Sequence, residues 1–312
     1  MSLNYKIASG IVRLLHVKKM FLKNKEEMLE YAKGENAKEV FDLDKAMERA
    51  KRKKYYLCDR EVMGYRLISY QKNENYADGA VLYLFGGGMI TQPNELDFSL
   101  AERIMENTGK DVWLLFYPLC SEDIKVDKTY EVCFATYALM TETYKAENIS
   151  VLGFSSGACL SIGIFLHNNA LGRPLNMPGT IISVSPGGIP DVSLEKNKGI
   201  WKRLHELNHK DIMIEPTYIK TAREILKGAE DLPEYMLDGT VGDFTGFPKT
   251  YFYYGENECL YAFAEEFRRA MEKYHVPYEI IVGQGMCHCY PMTRFFREGR
   301  EAQDHIIELL KS

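Results

Sequence analysis

Gly153-Phe154-Ser155-Ser156-Gly157 decides how the rest of this chain is read. The pentapeptide fits G-x-S-x-G. It stands between a short apolar run, Ile149–Gly153, and a helical stretch, 156–168. A sharp strand-to-helix turn at that point holds a serine hydroxyl out at the carboxyl end of a sheet, beside a helix N-terminus. The flanking glycines let backbone approach without a side-chain clash. Ser155 is therefore the candidate nucleophile.

Outward from this turn, strand and helix patterns alternate. Apolar runs at 80–85, 112–117, 149–153 and 180–184 read as strands, with helices at 95–108, 128–146 and 156–168 between them. Runs apolar on both faces suit the interior of a parallel sheet covered on both sides. Upstream, 55–58 and 62–70 alternate as strands, with Gly64 as a bulge. Residues 5–50 carry helical spacing, and Gly34 separates two helices or marks a turn. Downstream the alternation stalls over 194–240, a mostly helical stretch too long for a bare loop. It resumes with strand 249–254, helix 259–274, strand 278–282 and helix 294–311. The expected architecture is α/β, with an eight-stranded, mostly parallel sheet and helices on both faces. Its parts are an N-terminal helical cap segment (1–54), a core (55–190 and 241–312) and a helical cap insertion (191–240).

A hydroxyl at neutral pH needs a base. His288, in Gly285-Met286-Cys287-His288-Cys289-Tyr290 just past the last strand, is the candidate; most other histidines fall inside helices. Cys-His-Cys alone supplies no closed tetrahedral metal site without distant ligands, so no metal is expected. The base needs an orienting carboxylate. Glu258, immediately before a helix, is the first choice and Glu256 the alternative. The chain order is then serine, acid, histidine. Acyl transfer places negative charge on the former carbonyl oxygen, and aligned N–H groups stabilise it. Phe85-Gly86-Gly87-Gly88-Met89 follows a strand and supplies Gly87 and Gly88 as donors, with Ser156 as the third. No Lys-Ser or Lys-Thr pair follows the glycines, as a phosphate loop would require. The apolar residues beside the motifs, Phe85, Met89, Phe154 and Tyr290, predict an apolar acyl pocket.

Together these motifs resemble the hormone-sensitive-lipase-like family of α/β-hydrolases, a family of esterases. Its H-G-G-G stretch is similar to Phe85–Gly88, and its Y-R-L-A-P-E to Tyr117–Glu122. Its G-D-S-A-G resembles Gly153–Gly157. The stretch before its acid turn resembles Gly242–Pro248, the acid turn itself Gly255–Leu260, and its G-M-x-H ending Gly285–His288. The likeness covers roughly 78–310 in the family's order. It implies the α/β-hydrolase fold, and a cap over the acyl pocket built from N-terminal helices and a mid-chain insertion. Three positions depart from the family. Phe85 stands for histidine, Phe154 for aspartate and Glu258 for aspartate. None removes nucleophile, base or donor.

The expected activity is hydrolysis of carboxylic esters with short to medium acyl chains, through Ser155, Glu258 and His288 and an acyl-enzyme, without cofactor. Amide or peptide cleavage uses the same machinery, and a non-catalytic ligand-binding homologue is the competing class. The net charge of −5 argues against nucleic acid as a partner. Residues 1–60, however, hold 15 Lys and Arg against 9 Asp and Glu. Such a segment reads first as a solvated helical face and second as a membrane contact. Seven cysteines without paired spacing suit a reducing, cytoplasmic compartment. The expected partner is a small-molecule ester, and a homodimer is compatible with the composition.

Overall fold

Strands Ala80–Leu84 (β3), Asp111–Leu115 (β4), Ile149–Phe154 (β5) and Thr180–Val184 (β6) are buried at every residue, as their unbroken apolar sequences require. They form the middle of one sheet in a computed structural model that describes residues 1–228 and 231–311. Tyr56–Val62 (β1) and Tyr65–Gln71 (β2) extend one edge, Thr250–Gly255 (β7) and Tyr278–Gly283 (β8) the other. The order is β1-β2-β4-β3-β5-β6-β7-β8. β1, β2 and β4 pair antiparallel, and every other pair is parallel.

The chain runs from β3 to β4 on one side and then returns past β3 to β5 on the other. That reversal leaves a crevice beyond the carboxyl ends of β3 and β5, where open α/β sheets take their ligands. Helices Glu95–Thr108 (α5), Val126–Thr143 (α6), Ser156–Ala170 (α7), Ala264–Lys273 (α10) and Arg297–Lys311 (α11) cover the two faces. α7 is apolar around its whole circumference, with Leu160, Ile162, Ile164, Phe165 and Leu166 all buried. α5 starts at a capping box between Asn94 and Asp97 and stops at Gly109, whose φ of 72° ends the helix.

Several boundaries differ from the sequence reading. Met63 and Gly64 form a two-residue hairpin turn, with φ of 53° and 83°, rather than a bulge. The ladder stays in register from Tyr56↔Gln71 to Val62↔Tyr65. Gly34 lies inside Lys25–Asn36 (α3), not between helices. The stretch 259–274 begins as a 3₁₀ turn, Cys259–Phe263, before α10.

The remaining N-terminal helices are Leu3–Leu14 (α1), Val17–Met20 (α2) and Leu43–Lys53 (α4). α1 packs at the start of α11, where Tyr5 meets Phe296, the residue before that helix, with ring centroids 5.0 Å apart. α4 is tied to α5 by Arg49 and Lys53, which both reach Glu102. Between β6 and β7 lie Lys198–Asn208 (α8) and Tyr218–Lys227 (α9). A bridge between Gly188 and Asp238 closes the base of this insertion. Among the described residues no helix is long and apolar enough to cross a membrane.

Candidate active site

The register of the sheet brings distant motifs together. Leu84 pairs with Gly153, so the glycine loop after β3 runs beside the turn after β5. The fit is close: a β-carbon on Gly86 would lie 3.3 Å from the Ser155 Cβ and from the Phe154 carbonyl oxygen. A β-carbon on Gly157 would run into the carbonyls of Leu84 and Phe85. Ser155 itself adopts φ 52° and ψ −118°, a conformation a serine holds only where its surroundings impose it. They do so by hydrogen bonds: its N–H donates to Val184 O at 2.8 Å, and its carbonyl accepts from Ala158 and Cys159.

At the other edge Gly255 pairs with Gly283, which sets the loops after β7 and β8 side by side. The first loop carries Glu258 and the second His288. His288 Nε2 lies 2.9 Å from Ser155 Oγ, and its Nδ1 lies 2.5 Å from Glu258 Oε2. Glu258 is fully buried and His288 nearly so. Burial alone would lower the His288 pKa. Cys289 and the Glu258 carboxylate outweigh it and hold the ring well above the usual histidine value. The geometry fits a neutral ring whose Nδ1–H donates to the carboxylate while Nε2 accepts from the serine hydroxyl. Glu256 faces elsewhere: its Oε2 accepts from the Gly285 N–H at 2.7 Å and steadies the histidine loop.

Two supporting residues escaped the sequence reading. Ser185, at the end of β6, donates its hydroxyl to Glu258 Oε1 at 2.9 Å and accepts from the Cys289 N–H at 3.0 Å. A hydroxyl at the carboxyl end of the strand next to β5 was its only signal. Asp211, in the insertion, accepts the N–H of Cys259 on Oδ2 at 2.7 Å, immediately after Glu258. Nothing in sequence links residues 48 positions apart.

The glycine loop is fixed at its start by Tyr117. Its ring stacks on Phe85 at 4.1 Å and its hydroxyl donates to Phe85 O at 2.7 Å. The loop is fixed at its end by the Met89 N–H, which donates to Ser156 Oγ at 3.1 Å. Between them Gly87 and Gly88 take φ of 108° and 66°. No acceptor among the described residues takes a hydrogen bond from their N–H groups. Tyr218, from α9, presses its hydroxyl against Gly88, where any β-carbon would collide with it.

A cavity of about 350 Å³ opens onto Ser155, Gly87, Gly88, Ser156 and His288. Of the four residues expected in an acyl pocket, Phe154 and Met89 line it. Phe85 and Tyr290 do not, which corrects their placement there. Phe85 turns under the loop onto Tyr117, and Tyr290 packs with Tyr5, Met286 and Phe296 on the far side of the histidine loop. From segment 1–54 only Met20, Phe21, Met28 and Tyr31 reach the cavity. The insertion contributes a wall that includes Met213, Ile214, Ile219 and Ala222.

Residues 81–292 match the family described as alpha/beta hydrolase fold. No curated protein matches the chain. Among solved structures it resembles an esterase/lipase from an uncultured bacterium, with TM-score 0.78 and 19% identity over 100% of this chain and 98% of that one. An esterase from the bacterial hormone-sensitive lipase family aligns with TM-score 0.77 and 17% identity, over 100% and 98%. EstE5, in a crystal soaked with p-nitrophenyl butyrate, aligns with TM-score 0.76 and 19% identity, again over 100% and 98%.

Proposed function

The chain belongs to the α/β-hydrolase fold family, and from that premise we propose that it hydrolyses carboxylic esters through Ser155, His288 and Glu258. The observation that carries this reading is the unbroken relay from Ser155 Oγ to His288 (2.9 Å) and on to Glu258 (2.5 Å), beside the N–H groups of a glycine loop.

Ser155 attacks the ester carbonyl while His288 takes its proton. Glu258 holds the ring in the right tautomer and offsets the charge it gains. The carbonyl oxygen becomes an oxyanion and accepts from Gly87, Gly88 and Ser156. His288 gives the proton to the departing alcohol, which leaves an acyl-Ser155. Water, activated by the same ring, then releases the acid. The route needs no metal or cofactor.

The cavity lies near the lower end of the roughly 300–1,000 Å³ common for small-molecule sites, which favours short to medium acyl chains. Met20, Met28, Met89, Met213, Met236 and Met292 all line it. Such flexible side chains adapt to several acyl shapes. Met20–Tyr31 and the insertion 191–240 act as the cap. Seven unpaired cysteines support a reducing, cytoplasmic setting.

The test is a panel of p-nitrophenyl esters and matching anilides, together with a fluorophosphonate probe. Expected are turnover of esters with short and medium chains, weaker turnover of anilides, and labelling at Ser155. Ser155→Ala should lose labelling and on the order of 10⁴-fold or more of the rate. A wild-type protein that neither turns over any substrate nor takes the label overturns the proposal.

A further inference from the structure

Helix α1 is apolar on two sides. Its inner side, Tyr5 with Ala8, packs in a cluster with Phe296 and Met286. Its outer side carries Leu3, Ile7, Ile11 and Leu14, spaced to form one stripe along the helix. These four are 72%, 48%, 50% and 77% exposed, and Leu15 and Leu22 continue the patch at 69% and 60%. Elsewhere the exposed large hydrophobic residues are scattered along the chain, which is ordinary for a protein surface. A continuous stripe is not, because it leaves apolar area in water that none of the described residues covers.

The charge around the stripe says what covers it. Residues 1–25 hold Lys6, Arg13, Lys18, Lys19, Lys23 and Lys25, with no Asp or Glu. Lys18 turns inward to the carbonyls of Asn208 and Asp211 and to Glu215. Lys6 and Arg13, seven residues apart and both exposed, form a ridge beside the stripe, and Lys19 is exposed beyond it. A second copy docked on the same stripe would bring two such cationic sets together with no acid within residues 1–25 to balance them; Glu298, against the start of α1, is already held by Ser2 and the N-terminus. An anionic lipid surface complements both features at once. Apolar side chains enter the acyl boundary, and the cations meet the headgroups.

We propose that α1, with residues 15–22, docks this protein on the surface of an anionic bilayer, the helix lying in the plane of the interface. The far end of the docked segment carries Met20 and Phe21, which line the cavity of Ser155. A lipid-dissolved ester would therefore meet the site close to the interface. Docking itself does not depend on the reaction assigned to that site.

Co-sedimentation of the full chain with vesicles tests this. Phosphatidylcholine vesicles are compared with vesicles in which a quarter of the lipid is phosphatidylglycerol. The variants are Ile7→Ser/Ile11→Ser/Leu14→Ser and Lys6→Glu/Arg13→Glu, all on the outward side, with an unchanged melting temperature as the check of fold. Wild type should pellet with the anionic vesicles, and at least about tenfold less with neutral ones. The triple-serine variant should partition at least about tenfold less, and the charge-reversed variant several-fold less. Wild type that stays in the supernatant, or a triple-serine variant that pellets as well as wild type, overturns the proposal. So does a wild-type dimer by light scattering that the triple-serine variant converts to monomer, since the stripe would then belong to a second copy.

Discussion

Glu258 is held by more than the histidine it orients. Its Oε1 takes hydrogen bonds from Ser185 Oγ and from the Gly255 N–H, at 2.9 and 2.7 Å, which leaves Oε2 for His288. Ser185→Ala removes one of these bonds and also the acceptor of the Cys289 N–H. A hydrogen bond to a charged group contributes about 1.5–3 kcal/mol. The expected loss in kcat is therefore on the order of ten- to a hundredfold, with KM little changed. Steady-state kinetics checks this, and an equal rise in KM would instead point to a displaced pocket. The raised pKa of His288 has a kinetic consequence of known sign. Only the neutral ring can take the serine proton, so activity appears as pH rises through that pKa. The acid limb of kcat/KM should have its midpoint above 6.5, the ordinary histidine value. Glu258→Gln removes the charge that favours the protonated ring. It should move the midpoint down and cut kcat on the order of 10³–10⁴-fold. An acid limb that stays in place in Glu258→Gln would assign it to another group.

The elements show which parts of this architecture were legible in sequence. β3 to β6 declared themselves because every residue in them is buried, so no polar face blurred the pattern. The elbow was legible because Gly153 and Gly157 answer to local crowding by backbone. Gly157→Ala should lower the melting temperature, as overpacking of this kind commonly costs about 1–3 kcal/mol. It should also reduce fluorophosphonate labelling, because the shift falls on the turn that carries Ser155. Calorimetry and labelling rate together check it; a variant as stable and as reactive as wild type would show that the turn tolerates the methyl. What sequence did not disclose depended on space rather than spacing. Gly64 reads as a bulge until the partner strand is known to fold back across it. Asp211 reaches the Cys259 N–H only because the insertion folds back on the acid loop. Phe85 and Tyr290 flank functional motifs, yet adjacency along a chain does not decide which side of a loop a ring takes.

Across the whole molecule, the site is assembled from four separate lengths of chain. The core brings together Ser155, His288, Glu258 and the glycine loop, while Met20–Tyr31 and the insertion wall the cavity. Specificity should therefore change without touching the chemistry. Ala222 is buried and lines the cavity from α9. Ala222→Phe should raise KM for hexanoyl esters on the order of tenfold relative to acetyl esters. A chain-length profile measured at fixed kcat checks this, and an unaltered profile would place the acyl group elsewhere. The central claim is that Ser155 carries the acyl group between the two halves of the reaction. The most direct measurement is rapid-quench mass spectrometry of the protein mixed with p-nitrophenyl butyrate. The account predicts a butyryl group on the peptide containing Ser155, formed and lost at rates that match turnover and absent in Ser155→Ala. Turnover that persists in Ser155→Ala, with no acyl group on that peptide in wild type, would contradict it.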